Sequence, residues 1–129
     1  MASIEPAITG KVCLVLEDEF LIALDIQQIL ESAAAARVIC FGTTSECVAA
    51  LEHGDHVDLA ILDFKLGAGD VDSLSVAAVL HERGIPFMFV TGMRRRDLRA
   101  HQYLNAPVVE KPYEIAVLLD AVRRAISGG

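Results

Sequence analysis

The stretch "LAILDFKLGAG", Leu59–Gly69, is where the fold can be read. Its first four residues are apolar without alternation, the pattern of a strand covered on both faces. It then stops on a single carboxylate, Asp63, and continues through Phe64, Lys65 and a glycine-bracketed loop. Alone, Asp63 is either polar punctuation where a buried strand meets water or a reactive group held at the strand's mouth. The choice depends on what the rest of the chain brings to the same place.

Working outward, strand-like and helix-like segments alternate from end to end. "VCLVL" (Val12–Leu16) is a short β-branched apolar run. From Phe20 to Ala34 the period becomes helical, with Leu21, Ile22, Ile26, Ile29 and Leu30 forming an apolar stripe. "RVICF" (Arg37–Phe41) is the next strand, and "TTSECVAALEHG" (Thr43–Gly54) a short helix with a hydroxyl cap and a terminal glycine. After Leu59–Leu62 come a helix from about Ser73 to Arg83, a strand "PFMFV" (Pro86–Val90) and a possible short helix in "RRDLRAHQYL". "APVVE" reads as an edge-like strand and Tyr113–Ile126 as a closing helix with Ile115, Val117, Leu118, Leu119, Val122 and Ile126 on its apolar side.

Five strand–helix units in strict alternation predict an α/β fold: a doubly wound, five-stranded parallel sheet between two helical layers. The 129 residues suit one domain with a single substantial core, about residues 11–127. No apolar run approaches the ~20 residues of a membrane span, and residues 1–11 lack the basic-then-apolar order of a secretory signal. A soluble cytoplasmic protein is expected. The net charge of -7 argues against a nucleic-acid partner, since phosphate binding needs a basic face. Three cysteines, two of them (Cys13 and Cys40) inside apolar strand-like runs, read as buried free thiols, and no Cys/His cluster suggests zinc. His53 and His56 in "EHGDH" read as solvated.

In open parallel sheets ligands sit beyond the carboxyl ends of the strands. The first strand is followed by Glu17-Asp18-Glu19, the third ends in Asp63, the fourth in Thr91-Gly92, and the last runs into Glu110-Lys111-Pro112. Carboxylates crowded together repel unless a cation joins them, and hard oxygen ligands on a rim suit Mg²⁺. Aspartate can act as a nucleophile toward phosphorus, giving an acyl phosphate. Lys111 and Mg²⁺ would neutralise phosphoryl charge while the Thr91 hydroxyl and backbone N–H groups hold its oxygens. Each feature has a bland alternative: a strand-terminal cap, an acidic helix start, a loop Lys-Pro pair. Their occurrence at successive strand ends, in one order, favours the reactive site.

The set "LVLEDE", "LAILDFKLG", "FVTG" and "VVEKPY" resembles the receiver domain of two-component response regulators (the CheY-like superfamily) over essentially the whole chain. The resemblance implies a flavodoxin/CheY-like sheet of order 2-1-3-4-5. It makes Asp63 the phosphoacceptor, Thr91 the switch hydroxyl and Lys111 the conserved-type lysine. Glu17 and Asp18 become the acidic pair, with Asp18 the more direct Mg²⁺ ligand beside Asp63 and the carbonyl of Lys65. Phe64, Gly92 and Lys111 would contact the phosphoryl group, and a cis Lys111–Pro112 peptide is implied. "GIPFMFVTGM" and "PVVEKPY" are similar to the single-domain FATGUY regulators, with Val90 where that motif has Ala. No output domain is expected. The partners implied are a sensor histidine kinase or a histidine phosphotransfer protein, and a downstream protein effector, with the receiver a monomer or weak dimer. The resemblance implies no enzyme beyond the protein's own phosphorylation and slow autodephosphorylation.

Receivers of this kind carry Tyr or Phe three residues before the lysine; here that position is Val108, so a ring-flip switch cannot operate there. The expected switch and partner surface comprises Met93, Arg94, Arg95, Arg96, Arg99, Val108 and Tyr113, the arginines forming a basic cluster in an acidic chain that is either a solvated face or a docking surface for an acidic partner. An Asp-nucleophile phosphatase of the haloacid-dehalogenase kind would place a second carboxylate where Lys65 stands. A flavin-binding module would need a Ser/Thr/Gly-rich loop after "LVL". A pseudo-receiver acting by contact alone is the remaining alternative.

Overall fold

The computed structural model describes residues 8–64, 73–92 and 106–128. Five strands form one parallel sheet: β1 (Val12–Leu16), β2 (Arg37–Phe41), β3 (Leu59–Asp63), β4 (Phe87–Thr91) and β5 (Val108–Glu110), in the order β2-β1-β3-β4-β5. Four helices connect or follow them among the described residues: α1 (Phe20–Ser32), α2 (Thr44–His53), α3 (Ser73–Glu82) and α4 (Ile115–Ser127). The doubly wound α/β fold and the strand order expected from sequence are both present.

Alternation along each strand sends its side chains to two separate cores. Cys13, Val15, Leu59, Ile61, Met88, Val90 and Val109 join Ile26, Ile29 and Leu30 of α1 and Leu118, Ala121 and Val122 of α4. Leu14, Leu16, Ala60, Leu62, Phe87 and Phe89 join Cys47 and Leu51 of α2 and Val76, Ala77 and Leu80 of α3. β1, β3 and β4 lie inside the sheet and are almost wholly buried, which is why they read as unbroken apolar runs.

Local signals end the helices where the sequence places them. The Thr43 side chain caps α2 by accepting the Glu46 N–H at 3.2 Å, and Gly54 closes it in the left-handed conformation at φ 96°. Ala34, just past α1, also takes a positive φ, 73°, without being glycine. At the opposite end of the sheet from the strand-end carboxylates, Asp58 fastens β1: its Oδ2 accepts the Val12 N–H at 2.9 Å, while its own N–H donates to the Val12 carbonyl at 2.8 Å.

Three expectations need correction. Leu21 belongs to the apolar stripe of α1 in sequence but is 76% exposed, because it sits in the first turn, ahead of the stretch that packs on the sheet. Ile115 and Val117 of α4 are likewise exposed, the buried side being Leu118, Ala121, Val122 and Ala125. Cys40 is exposed rather than buried, because β2 is an edge strand covered only in part; Cys13 and Cys47 are buried. His53 and His56 are exposed and paired with Asp55 and Asp58, each at 3.0 Å. The helix expected in "RRDLRAHQYL" lies outside the described residues. No helix among the described residues is long and apolar enough to cross a membrane.

Candidate functional site

The strand order makes β3 the neighbour of both β1 and β4, and β5 the neighbour of β4. Register then brings the strand ends level: Leu16 pairs with Leu62, Asp63 with Val90, and Thr91 with Glu110. Residues separated by dozens of positions therefore meet along one rim. Parity decides which face each one serves. Glu17 continues the Cys13–Val15 series, Asp63 the Leu59–Ile61 series and Lys111 follows Val109, so all three point to the α1/α4 side. Phe64 and Thr91 continue the Ala60–Leu62 and Phe87–Phe89 series toward α2 and α3, and Phe64 packs in that second core.

On the first side, the Lys111 ammonium bridges two carboxylates, donating to Glu17 Oε1 at 3.0 Å and to Asp63 Oδ1 at 3.3 Å. Both carboxylate side chains are nearly inaccessible, at 1% and 7%, whereas Lys111 keeps 19%. The other Glu17 oxygen accepts the Glu19 N–H at 3.1 Å, which fixes the carboxylate in the turn leading into α1. Burial pushes the Glu17 carboxyl above the ordinary carboxylate range, the Lys111 hydrogen bond pulls it back, and the Asp63 charge adds to the rise. For Lys111 burial acts to lower the ammonium pKa. The Glu17 hydrogen bond and the charges of Asp63 and Glu17 outweigh it, so the group is held above its ordinary value. The peptide between Lys111 and Pro112 is cis, as the resemblance implies.

Asp18 is exposed on the rim, and one carboxylate oxygen each from Glu17, Asp18 and Asp63 lie within 4.8 Å of one another. Three hard oxygen donors at this spacing, formally net anionic even after Lys111 is counted, fit a small divalent cation such as Mg²⁺ that keeps part of its water shell. The donor set contains no sulfur or imidazole that would favour a softer metal.

On the second side, Thr91 is fully buried and its hydroxyl donates to the Phe64 carbonyl at 3.3 Å. The Phe64 N–H donates to the Val90 carbonyl at 2.9 Å, carrying the β3–β4 ladder one residue past the strand. Gly92 is exposed at the end of β4. Val108 is half-buried against the α2/α3 core and Tyr113 half-buried against the α1/α4 core, so neither is an open surface residue. Burial, then the charges of Asp25 and Glu17, push the Tyr113 phenol up to about 12. Lys65, Met93, Arg94, Arg95, Arg96 and Arg99 lie outside the described residues. Sequence reasoning overlooked Phe89, whose ring meets Phe64 edge-on with centroids 5.5 Å apart. The alternation of "FMFVT", which puts Phe87, Phe89 and Thr91 on one face, was the signal available for finding it.

No protein-family model and no curated protein matches the sequence. Solved structures do match, nearly end to end. SdrG from Pseudomonas melonis Fr1, in its BeF3-activated conformation, is 30% identical, with 92% of this chain and 98% of that chain covered and a TM-score of 0.75. A response regulator receiver protein from Sinorhizobium medicae WSM419 shares the fold at 22% identity, covering 91% of this chain and 94% of its own, with a TM-score of 0.80. The response regulator PhyR from Brucella abortus, at 26% identity and a TM-score of 0.71, matches 92% of this chain with 48% of its own length. Full-length similarity at this level, on a sheet of order 2-1-3-4-5 with the acidic and lysine residues gathered at its rim, means that the chain belongs to the response regulator receiver (CheY-like) family.

Proposed function

We propose that this protein is a receiver that takes a phosphoryl group on Asp63, in a Mg²⁺-dependent reaction, from a histidine kinase or a histidine phosphotransfer protein. It then passes the group on or presents the modified surface to a protein effector. The observation that carries the reading is the Lys111 bridge between Glu17 and Asp63 inside a three-carboxylate cluster. A lone strand-end aspartate would need none of those partners.

In this mechanism an Asp63 carboxylate oxygen attacks phosphorus, a new P–O bond forms, and the bond to the donor's leaving group breaks with its electron pair going to the donor. Asp18, Asp63 and Glu17 would hold Mg²⁺, which supplies charge neutralisation for the phosphoryl oxygens when bound. Lys111 stands next to Asp63 and provides the fixed positive charge for the same oxygens. By the resemblance, the Thr91 hydroxyl and the Gly92 backbone N–H would be neutral donors to the same oxygens. Lys65 stands two residues after Asp63, where a phosphatase of the haloacid-dehalogenase kind would place a second carboxylate to activate water, so the acyl phosphate is expected to persist rather than turn over external substrate. The "FVTG" segment supports a place in the single-domain FATGUY subgroup, acting in the cytoplasm.

The test is intact-mass analysis after incubation with Mg²⁺ and acetyl phosphate. One phosphoryl adduct is expected, absent without Mg²⁺ and absent in Asp63→Asn. An unmodified wild-type protein, or an adduct that survives Asp63→Asn, refutes the assignment and leaves a receiver that works by contact alone.

A further inference from the structure

Ahead of β1 the chain reverses. The Ile8 carbonyl accepts the Lys11 N–H at 2.9 Å and Gly10 takes a φ of 75°, so Ile8–Lys11 form a tight turn. The Gly10 N–H also donates to the Ala34 carbonyl, just past α1, at 2.9 Å. β1 leaves this turn toward the rim of carboxylates, so the turn directs the chain ahead of Ile8 back toward the same rim, alongside α1. Ile8 itself is 1% exposed and joins the core shared by α1 and α4, which includes Ala33 and Ala125 near the C-terminal ends of the two helices.

The same two helices enclose a groove of about 400 Å³, lined by Asp25, Gln28, Ser32 and Ala33 from α1 and by Ile115 and Leu119 from α4. From Asp25 to Ala33 it runs about 12 Å at 1.5 Å per helical residue. An extended chain covers about 13 Å in the four steps from Ile4 to Ile8. Those residues read "IEPAI", in which Pro6 fixes its own φ and keeps Glu5 out of helical backbone. In an extended chain, alternation puts Ile4 and Pro6 on the side of Ile8, the side that faces α1 and α4, and turns Glu5 away from Asp25.

We propose that residues 4–7 lie along the α1/α4 groove as a strap from the protein's own chain, with Ile4 set against Ile115 and Leu119. The entry point at Ile8, the direction imposed by the turn, the length and the spacing of the apolar residues all match the groove, and a second molecule would have to match them by chance. Asp25, Gln28 and Ser32, spaced along one face of α1, offer oxygen acceptors to the backbone N–H groups of the strap, which no neighbouring strand would satisfy. Ile115 and Leu119 supply the apolar wall, and Ile115, 58% exposed among its neighbours, gains a partner. Ile115 opens α4 four residues after Lys111, so the strap joins the segment ahead of β1 to the helix that follows the lysine of the site.

Methyl NMR of the full chain, labelled at isoleucine and leucine, tests it. Nuclear Overhauser contacts are expected from the Ile4 methyl groups to those of Ile115 and Leu119, with the same strength after tenfold dilution. Ile4→Asp should abolish them and move the Ile115 methyl resonance, whereas Ile4→Leu should keep the contacts through its own methyl groups. Absence of any contact between Ile4 and α1 or α4 in wild type overturns the strap. An Ile115 resonance that stays in place in folded Ile4→Asp overturns it as well, and the wild-type contacts decide the matter if that variant does not fold. Contacts seen only between differently labelled molecules in a mixed sample would assign the groove to a second copy and also overturn it. None of these outcomes depends on Asp63 being a phosphoacceptor.

Discussion

Replacing Lys111 with methionine removes the one ammonium that joins Glu17 and Asp63 while keeping most of the side chain's bulk. At 3.0 and 3.3 Å, an effective dielectric of about 20 gives roughly 5 kcal/mol of attraction for each contact. Desolvation of three charged groups offsets much of that. Truncating one partner of a buried ion pair costs about 3–5 kcal/mol, because a charge is left buried and unpaired. The 19% exposure of Lys111 places the expected loss near the lower end, about 3 kcal/mol. With a urea slope of about 1.5 kcal/mol/M, the unfolding midpoint in metal-free buffer at pH 7 should fall by about 2 M. The deficit should also depend on pH. Glu17 already has a raised carboxyl, and Lys111 is the largest influence pulling it back. Without Lys111 the folded protein holds a proton on Glu17 at pH values where the unfolded chain has released it. Stability of the variant therefore rises as pH falls from 7 through that raised value, and the gap to wild type narrows. Mg²⁺ at a hundredfold excess over its dissociation constant adds about 2.7 kcal/mol to a folded state that binds it, so it should restore most of the loss. A midpoint within about 0.3 M of wild type at pH 7, or a gap that does not narrow as the pH is lowered, would refute the idea that Lys111 neutralises a buried carboxylate pair.

Other expectations concern the scaffold. Asp58→Ala removes the carboxylate that accepts the Val12 N–H and should cost about 1.5–3 kcal/mol, seen as a lower Tm with the phosphorylation site unchanged. Gly54→Ala and Ala34→Gly should act in opposite directions, since both positions have positive φ. The first costs about 1 kcal/mol of strain with no clash, and the second gains a few tenths once the looser unfolded chain is counted. In a thiol titration at pH 8, Cys40 alone should react in the native protein. Burial pushes Cys13 up to about 11 and Cys47 up to about 12, and neither is accessible until the chain unfolds. Reaction of two or more thiols under native conditions would contradict the burial assigned to them.

Period and punctuation made most of the fold legible. "LAIL" and "FMFV" read as strands of a covered sheet because a strand with helices packed on both faces is apolar on every residue. The cap at Thr43 and the stop at Gly54 are local chemistry, carried by the residues that perform it. Leu21 and Cys40 were misread for one shared reason. A periodic pattern states which residues share a face, but not whether any element lies over that face. Leu21 precedes the part of α1 that reaches the sheet, and Cys40 is on an edge strand.

The sequence by itself determined the alternation of strands and helices and the placing of Glu17, Asp18, Asp63, Thr91 and Lys111 at strand ends, because both follow from short-range pattern. Only the tertiary structure decided which of these groups meet. Lys111 is 94 residues from Glu17 and 48 from Asp63, and no local rule joins them; the order β2-β1-β3-β4-β5 and the parity of each strand do. The same parity turned Thr91 toward the Phe64 carbonyl on the far face, a contact that depends on the register of two strands and is written in neither of them.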